Sequence, residues 1–424
     1  MNVVIIGSGG REHALALKIK ESSQLTKLYI IPGNPGTNFL GHNVNIDFSN
    51  HSKVVEFCKE KKVDLVIIGP EQALVDGLAN TLRENHINVF GPNKEAAQIE
   101  SSKYFAKKIM KEAGVPTAKY IPFTSNMLEP AREFIRNKKY PCVIKTDGLA
   151  AGKGVFVCNE PKEAEEALNL IFHDKIFGES GEKVLVEEYL VGEEVSVFAI
   201  CDGHEFICLP ASQDHKRIGD GDTGKNTGGM GAYAPAPIVT PKIFEEIKNR
   251  ILYPVLRTLD KSEANFIGCL YAGLMITDEG PKVVEFNCRF GDPETQVVLP
   301  ILKGDFLELL YSAALGKVIK GSVDYNGGSS VCVVAASGGY PDSYQIGFEI
   351  SGLDEIPADT IVYHAGTREE NGKFFTNGGR VLGVTSVLAD FNLMLAKDKA
   401  YQALENIKFE KIYYRKDIAD KALK

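Results

Sequence analysis

A chain of 424 residues has room for roughly two to four domains and a substantial core. Its 44% hydrophobic and 25% charged content is that of an ordinary soluble globular protein. A net charge of -8 and a pI near 5.7 argue against nucleic-acid binding, which needs a concentrated basic face.

The chain opens on Asn2-Val3-Val4-Ile5-Ile6, a strand with neither a basic n-region nor a small-residue cleavage site. No apolar run reaches membrane-spanning length, so a cytoplasmic protein without a membrane partner is expected. Val3–Ile6, Leu28–Ile31, Leu65–Ile68 and Val89–Phe90 are short apolar runs ending in Gly or Pro. Between them lie the amphipathic stretches Arg11–Glu21, Ser52–Lys61 and Leu74–Asn85. That alternation predicts βαβ architecture with a parallel sheet. A helix over Ser102–Ala113 should stop at Gly114-Val115-Pro116. The segment from about Thr124 to Glu187 carries a glycine-rich tip and a charged helix, Pro161–Ile171. Glu188 to about Ile319 mixes strands with the glycine-rich stretch Gly219–Gly231. Lys320–Gly328 reads as a linker, followed by strands at Val331–Ala335 and Val381–Val387 and a helix over Phe391–Asn406. The eight cysteines form no CxxC pair or zinc-type cluster. Several sit in apolar runs (Cys142, Cys269, Cys332), which predicts buried free thiols in a reducing cytosol.

Gly7-Ser8-Gly9-Gly10-Arg11-Glu12-His13 follows the first strand and opens a helix. It fits the dinucleotide fingerprint poorly, because Glu12 stands at the third glycine position and strand two ends in Ile31-Pro32-Gly33. A loop receiving a monophosphate on its N–H groups and a tight turn serving helix–sheet packing are both open. Pro32-Gly33-Asn34-Pro35-Gly36 and Gly69-Pro70-Glu71 end the next two central strands, where ligands bind in open parallel sheets. For His13 a packed or capping role is expected.

The flap Lys145-Thr146-Asp147-Gly148-Leu149-Ala150-Ala151-Gly152-Lys153-Gly154 joins two apolar runs. Glycine lets backbone N–H groups approach phosphate oxygens, and lysine adds a mobile charge. No Gly-Lys-Ser/Thr opens a helix, so this is not a Walker loop. Downstream, Val184–Leu190 and Gly192-Glu193-Glu194 offer a backbone strip for an adenine edge and a carboxylate for ribose hydroxyls. Val283–Glu294 is the strongest chemical signal. A strand there places Glu285, Asn287 and Arg289 on one face. Two oxygen ligands and a guanidinium suit a magnesium ion bridging phosphates, against an exposed ion-pair ladder as the alternative. Ser212–Arg217 and Gly219–Gly231 are too polar and glycine-rich for a core and read as a long functional loop, with His215 structural.

Together GSGGREHA, PGNPGT, IIGPE, DGLAAGKGV, SQDHKR, NTGGMGAY, EFNCRFGDPETQ, HAGT and TNGGRVL resemble the ATP-grasp ligases, and among them the phosphoribosylamine–glycine ligase (glycinamide ribonucleotide synthetase) family, from end to end. The resemblance implies an α/β fold. Its parts would be a pre-ATP-grasp parallel-sheet domain over 1–101, an ATP-grasp body over 102–320 with a mobile lid at about 124–187, and a C-terminal α+β domain over 321–424. It implies ligation of glycine to 5-phosphoribosylamine with ATP as cosubstrate, through glycyl phosphate, in purine synthesis. Lys103, Lys145, Gly152, Lys153 and Gly154 would contact ATP phosphates and close the flap. Glu187, Glu188, Tyr189 and Leu190 would form the adenine strip and Glu194 the ribose partner. Glu285 and Asn287 would hold Mg2+ or Mn2+. Arg289, Lys145 and Lys153 would be catalytic. Gly9, Gly10, Asn34, Gly69, Pro70, Asp214, Lys216, Arg289 and Asp292 would face the substrate. A monomer in transient contact with neighbouring purine-pathway enzymes is expected. Many ATP-grasp members add a carboxylate on the preceding strand, where this chain reads Ala272-Gly273-Leu274-Met275, so metal number stays open.

Rival readings are an ATP-grasp carboxylase sharing the flap and metal strand, a dinucleotide oxidoreductase resting only on the N-terminal turn, and a nucleotide-sensing module. Keeping Glu285, Asn287 and Arg289 together favours chemistry over sensing.

Overall fold

The computed structural model describes residues 1–150 and 154–423. Its first sheet is parallel throughout, with strands in the order His42–Asn43, Lys27–Pro32, Asn2–Gly7, Leu65–Ile68 and Val89–Phe90. Valine and isoleucine at Val3–Ile6 are fully buried, as expected for a strand covered on both faces. The chain reverses its winding between Asn2–Gly7 and Leu65–Ile68. The crevice at the strand C-termini therefore opens beside Gly7–Gly10 and Gly69–Glu71. The helix expected over Leu74–Asn85 is instead two, Glu71–Val75 and Leu78–Glu84, because Gly77 adopts a left-handed φ of 88° between them.

Ser102 caps the helix Lys103–Ala113, and Gly114 ends it in the left-handed conformation, as the sequence predicts. A four-stranded antiparallel sheet follows, ordered Tyr120–Thr124, Lys183–Glu188, Cys142–Thr146 and Val155–Cys158. Its apolar residues, from Phe123 to Val186, form a core of their own. The flap joins the Cys142–Thr146 and Val155–Cys158 strands; Gly152 and Lys153 lie outside the described residues.

The body sheet runs Phe206–Cys208, Glu193–Asp202, Ile267–Thr277 and Gly280–Asn287, all antiparallel. The last sheet contains Gln213–Asp214, Gly231–Ala234, Ser329–Ser337, Arg380–Leu388 and Thr360–His364. Two strands of the central segment are thus hydrogen-bonded into the C-terminal sheet. Two local expectations are corrected. The polar stretch read as a loop holds a hairpin, Arg217–Gly219 against Thr223–Asn226, anchored by buried Arg415 on Asp222 and Asp417. The expected linker contributes Val323–Tyr325, which pairs with Leu302–Gly304. All three named cysteines are buried and free. No helix among the described residues is long and apolar enough to cross a membrane.

His13, His215 and His364 are buried, and burial lowers them to about 3, 4 and 4; a neighbouring histidine lowers His13 further. Their folded values lie below the unfolded one. Their contribution to stability is therefore complete above about pH 6.5 and is lost as pH falls toward 4. Both ring nitrogens of His215 lack hydrogen-bond partners among the described residues. His215→Gln should reduce the proton uptake on unfolding near pH 5 by about one, measured calorimetrically in buffers of different ionisation enthalpy. An unchanged uptake would contradict the assignment.

Candidate active site

The crevice wall is built first by the N-terminal loop. The Gly9 N–H donates to Glu12 Oε2 at 2.6 Å, and Arg11 Nε bonds Glu12 Oε1 at 2.7 Å. Glu12 occupies the space beside Gly7 and Gly69. A Cβ at Gly69 would stand 2.1 Å from its carboxylate oxygen, and Gly7 takes a φ of +124°. The glycines therefore make room for a buried carboxylate, and the donor expected for a monophosphate already serves Glu12. His13 packs and accepts the His364 N–H on Nδ1 at 2.9 Å, in keeping with its expected structural role. Asn34 caps a short helix and donates to the carbonyls of Ser8 and His364, both at 2.8 Å.

Arg289 sits at the next corner. The strand carrying Glu285 and Asn287 ends at Asn287, so Arg289 does not continue the same face as expected. Glu100 ends it, accepting the Cys288 N–H at 2.8 Å. Arg289 turns toward the N-terminal domain, with Nε 3.2 Å from Glu71 Oε2 and Nη2 2.8 Å from Glu100 Oε1. Burial pushes the Glu71 carboxyl up, but Arg289 and Arg11 outweigh it and hold it at about 2. Burial raises Glu100 despite Arg289. Glu71 lay in the IIGPE motif without an assigned role, and nothing in the sequence marks Glu100, which the helix Lys94–Ser101 delivers.

Glu285 faces the cleft among cations. Burial raises its carboxyl, yet Lys216, Lys145, Lys103 and Arg289 together pull it below the ordinary range. Lys216 Nζ lies 2.9 Å from Glu194 and 3.6 Å from Glu285, which brings the expected ribose and metal residues into one cleft. Gly273 is the register partner of Glu285 on the neighbouring strand, so no carboxylate stands directly opposite. Among the described residues the Asn287 amide makes no hydrogen bond to protein, and Glu285 has only the long Lys216 pair. These are donors fit for a divalent ion shared with phosphates. Burial raises Asp214 to about 8 against the pull of Lys216, with Glu294, Glu194 and Glu285 adding to it.

On the lid side, Lys103 Nζ donates to the Gly148 carbonyl at 3.0 Å. Lys145 Nζ lies 3.1 Å from Glu187 and donates to the Val284 carbonyl, tying the flap strand to the Glu285 strand. The Glu187 side chain is buried between Lys145 and Lys107, leaving only its backbone for an adenine edge. Burial lowers Lys107 to about 8 although Glu187 opposes it. After Glu188 the ladder stops, and Tyr189 is exposed at the strand end. Gly154 closes the flap base, its carbonyl accepting the Thr146 N–H at 2.9 Å.

The C-terminal domain completes the cleft, which the sequence reading missed. Asp292 accepts from Gln296 at 2.8 Å and pairs with Arg380 Nη1 at 3.2 Å. Burial raises the Asp292 carboxyl, but Arg380 and Arg11 bring it below its ordinary range. Only the TNGGRVL motif pointed toward Arg380.

A switch-point crevice, a four-stranded antiparallel sheet with a core of its own, and a Glu–Asn strand among lysines define an ATP-grasp ligase. Family models agree along the chain. The phosphoribosylglycinamide synthetase N domain matches residues 1–100, its ATP-grasp (A) domain 101–295 and its C domain 330–421. The phosphoribosylamine–glycine ligase of Caldanaerobacter subterraneus is 46% identical over 419 residues, covering 99% of both chains. That of Synechocystis is 47% identical over 428 residues, covering 100% of both. The crystal structure of the Thermotoga maritima phosphoribosylamine–glycine ligase superposes with a TM-score of 0.85 at 36% identity, covering 99% of this chain and 100% of that one. The chain belongs to the phosphoribosylglycinamide synthetase family.

Proposed function

We propose that this chain joins glycine to 5-phosphoribosylamine at the expense of ATP, by way of glycyl phosphate. The observation that carries the reading is the meeting of Glu285 and Asn287 with Lys216, Lys145 and Lys103 in one cleft bordered by the crevice loops. The nucleotide lies under the flap. Its adenine edge meets the backbone of Glu187, Glu188, Tyr189 and Leu190, its ribose Glu194, and its phosphates Lys103, Lys145 and the flap residues Gly152, Lys153 and Gly154.

Glu285 and Asn287 would hold a magnesium or manganese ion, which supplies charge neutralisation for the polyphosphate. A glycine carboxylate oxygen attacks the γ-phosphorus, and the bond to the β–γ bridging oxygen breaks, releasing ADP. The amine of phosphoribosylamine then attacks the glycyl carbonyl. Phosphate leaves with the C–O bond pair, and the one proton the amine gives up passes to the departing phosphate. Glycine's carboxylate is already ionised at neutral pH, so the first step needs no base. Lys103, Lys145 and Lys216 contribute position and positive charge in a closed site. The loops at Gly9, Gly10, Asn34, Gly69 and Pro70 border the amino-sugar end, with Asp214, Lys216, Arg289 and Asp292.

ADP release measured with freshly generated phosphoribosylamine tests the reading. Release should require glycine, and aminoimidazole ribonucleotide should not replace the amine. Equal release without glycine would sink it.

A further inference from the structure

Arg380 reaches from the C-terminal strand Arg380–Leu388 into the cleft. Its Nη1 donates to the carbonyls of Gly228 and Asp292, both at 2.6 Å, and pairs with the Asp292 carboxylate. Tyr340 of the same domain accepts the Gly228 N–H at 3.0 Å, so the loop is gripped through both backbone groups. The guanidinium lies flat against Gly228, where a Cβ would come within 2.9 Å of Cζ.

The other edge of this guanidinium, Nε and Nη2, has no hydrogen-bond partner among the described residues, and the side chain is 22% exposed. Arg11 spends its nitrogens on Glu12 and the Phe290 carbonyl, and Arg289 on Glu71, Glu100 and the same carbonyl. Lys216 is paired with Glu194, and Lys103 and Lys145 belong to the nucleotide side. Arg380 is thus the cleft guanidinium with a whole fork uncommitted among the described residues. Such a fork matches two phosphate oxygens. Asp292 beside it is acceptor-only, a partner for hydroxyl groups rather than for phosphate. Asp292 Oδ2 lies 3.6 Å from the Cβ position of Gly9, and Ala365 lies equally close to that of Gly10. The N-terminal loop, the body and the C-terminal domain therefore meet at this one corner.

We propose that Arg380 binds the 5-phosphate of the phosphorylated amine through Nε and Nη2 while Asp292 accepts its ribose hydroxyls, an assignment that rests on the ligase reading above. The C-terminal domain then acts as the specificity element that admits a phosphorylated amine.

Initial-rate kinetics of Arg380→Gln and Arg380→Lys in the full chain test this. Arg380→Gln should raise KM for phosphoribosylamine about 30-fold, the loss of a charge-assisted fork, and move KM for ATP and glycine less than about threefold. Arg380→Lys keeps a donor for the Gly228 and Asp292 carbonyls, so it should restore the thermal midpoint and kcat. Lacking the fork, it should leave KM for phosphoribosylamine raised about tenfold. An unchanged KM for phosphoribosylamine in Arg380→Gln, an equal rise for all three substrates, or full rescue by lysine would overturn the proposal. If the glutamine variant does not fold, the lysine variant alone decides. A wild type without glycine-dependent ADP release defeats the ligase reading itself, whereas an active wild type with an indifferent Arg380 defeats only this one.

Discussion

Glu285→Gln is expected to cut glycine-dependent ADP formation about a thousandfold, on the scale of removing a preorganised charge from a closed phosphoryl-transfer site. Four cations, Lys216, Lys145, Lys103 and Arg289, act on this carboxylate, and Gly273 opposite it offers no substitute. Glutamine keeps the shape and removes the charge, so the fold should survive. The strand Gly280–Asn287 is held by backbone pairing to Ile267–Thr277 and, on its other edge, by a bridge from Thr117 to Val283, and the Glu285 side chain makes no hydrogen bond that pairing needs. Steady-state rates over a titration of magnesium and of manganese are the measurement. A variant with near-normal turnover at ordinary metal concentration would remove Glu285 from the chemistry.

Arg289→Met should be the most destabilising single change in the cleft, by about 3–5 kcal/mol, because it leaves carboxylates buried without their cation. Glu100 is nearly inaccessible and Glu71 is held at about 2 chiefly by this guanidinium working against burial. Glu71's depressed value means its stabilisation is present above the unfolded carboxyl range and is lost as pH falls toward 2. In Arg289→Met that advantage disappears, so the difference from wild type should shrink as pH falls from about 4.5 toward 2, where the wild type loses it too. Thermal midpoints of wild type, Arg289→Met and the triple variant Arg289→Met/Glu71→Gln/Glu100→Gln would check this. The triple variant should recover at least half of the loss. Failure to recover any of it would mean the guanidinium is not neutralising those two groups.

The Val3–Ile6, Leu65–Ile68 and Val283–Asn287 strands were legible because their hydrophobic spacing matches a sheet covered on one or both faces. Glu285 was legible from its alternation with apolar residues in that strand, whereas Lys216, in a stretch read as a loop, was legible only through the resemblance carried by the SQDHKR motif. The break at Gly77, the hairpin Arg217–Asn226 and the pairing of Val323–Tyr325 were not. Each depends on a partner distant in the chain or on one backbone torsion, and neither alters local composition. Glu12 illustrates the difference. It spoils a dinucleotide fingerprint in the sequence, yet in the fold it is the side chain for which Gly7 and Gly69 make room.

By itself the order of residues determined the parallel N-terminal sheet, the two apolar strands on either side of the glycine-rich tip and the identity of the strand that bears Glu285 and Asn287, since periodicity and glycine placement are local properties. Only the tertiary structure decided that Arg289 faces Glu71 and Glu100, that Glu187 is enclosed by two lysines, and that Arg380 from the last domain meets Asp292. Those pairings bring together charges far apart in the chain. What joins them is the requirement that a charge removed from water find its counter-charge within a few ångströms.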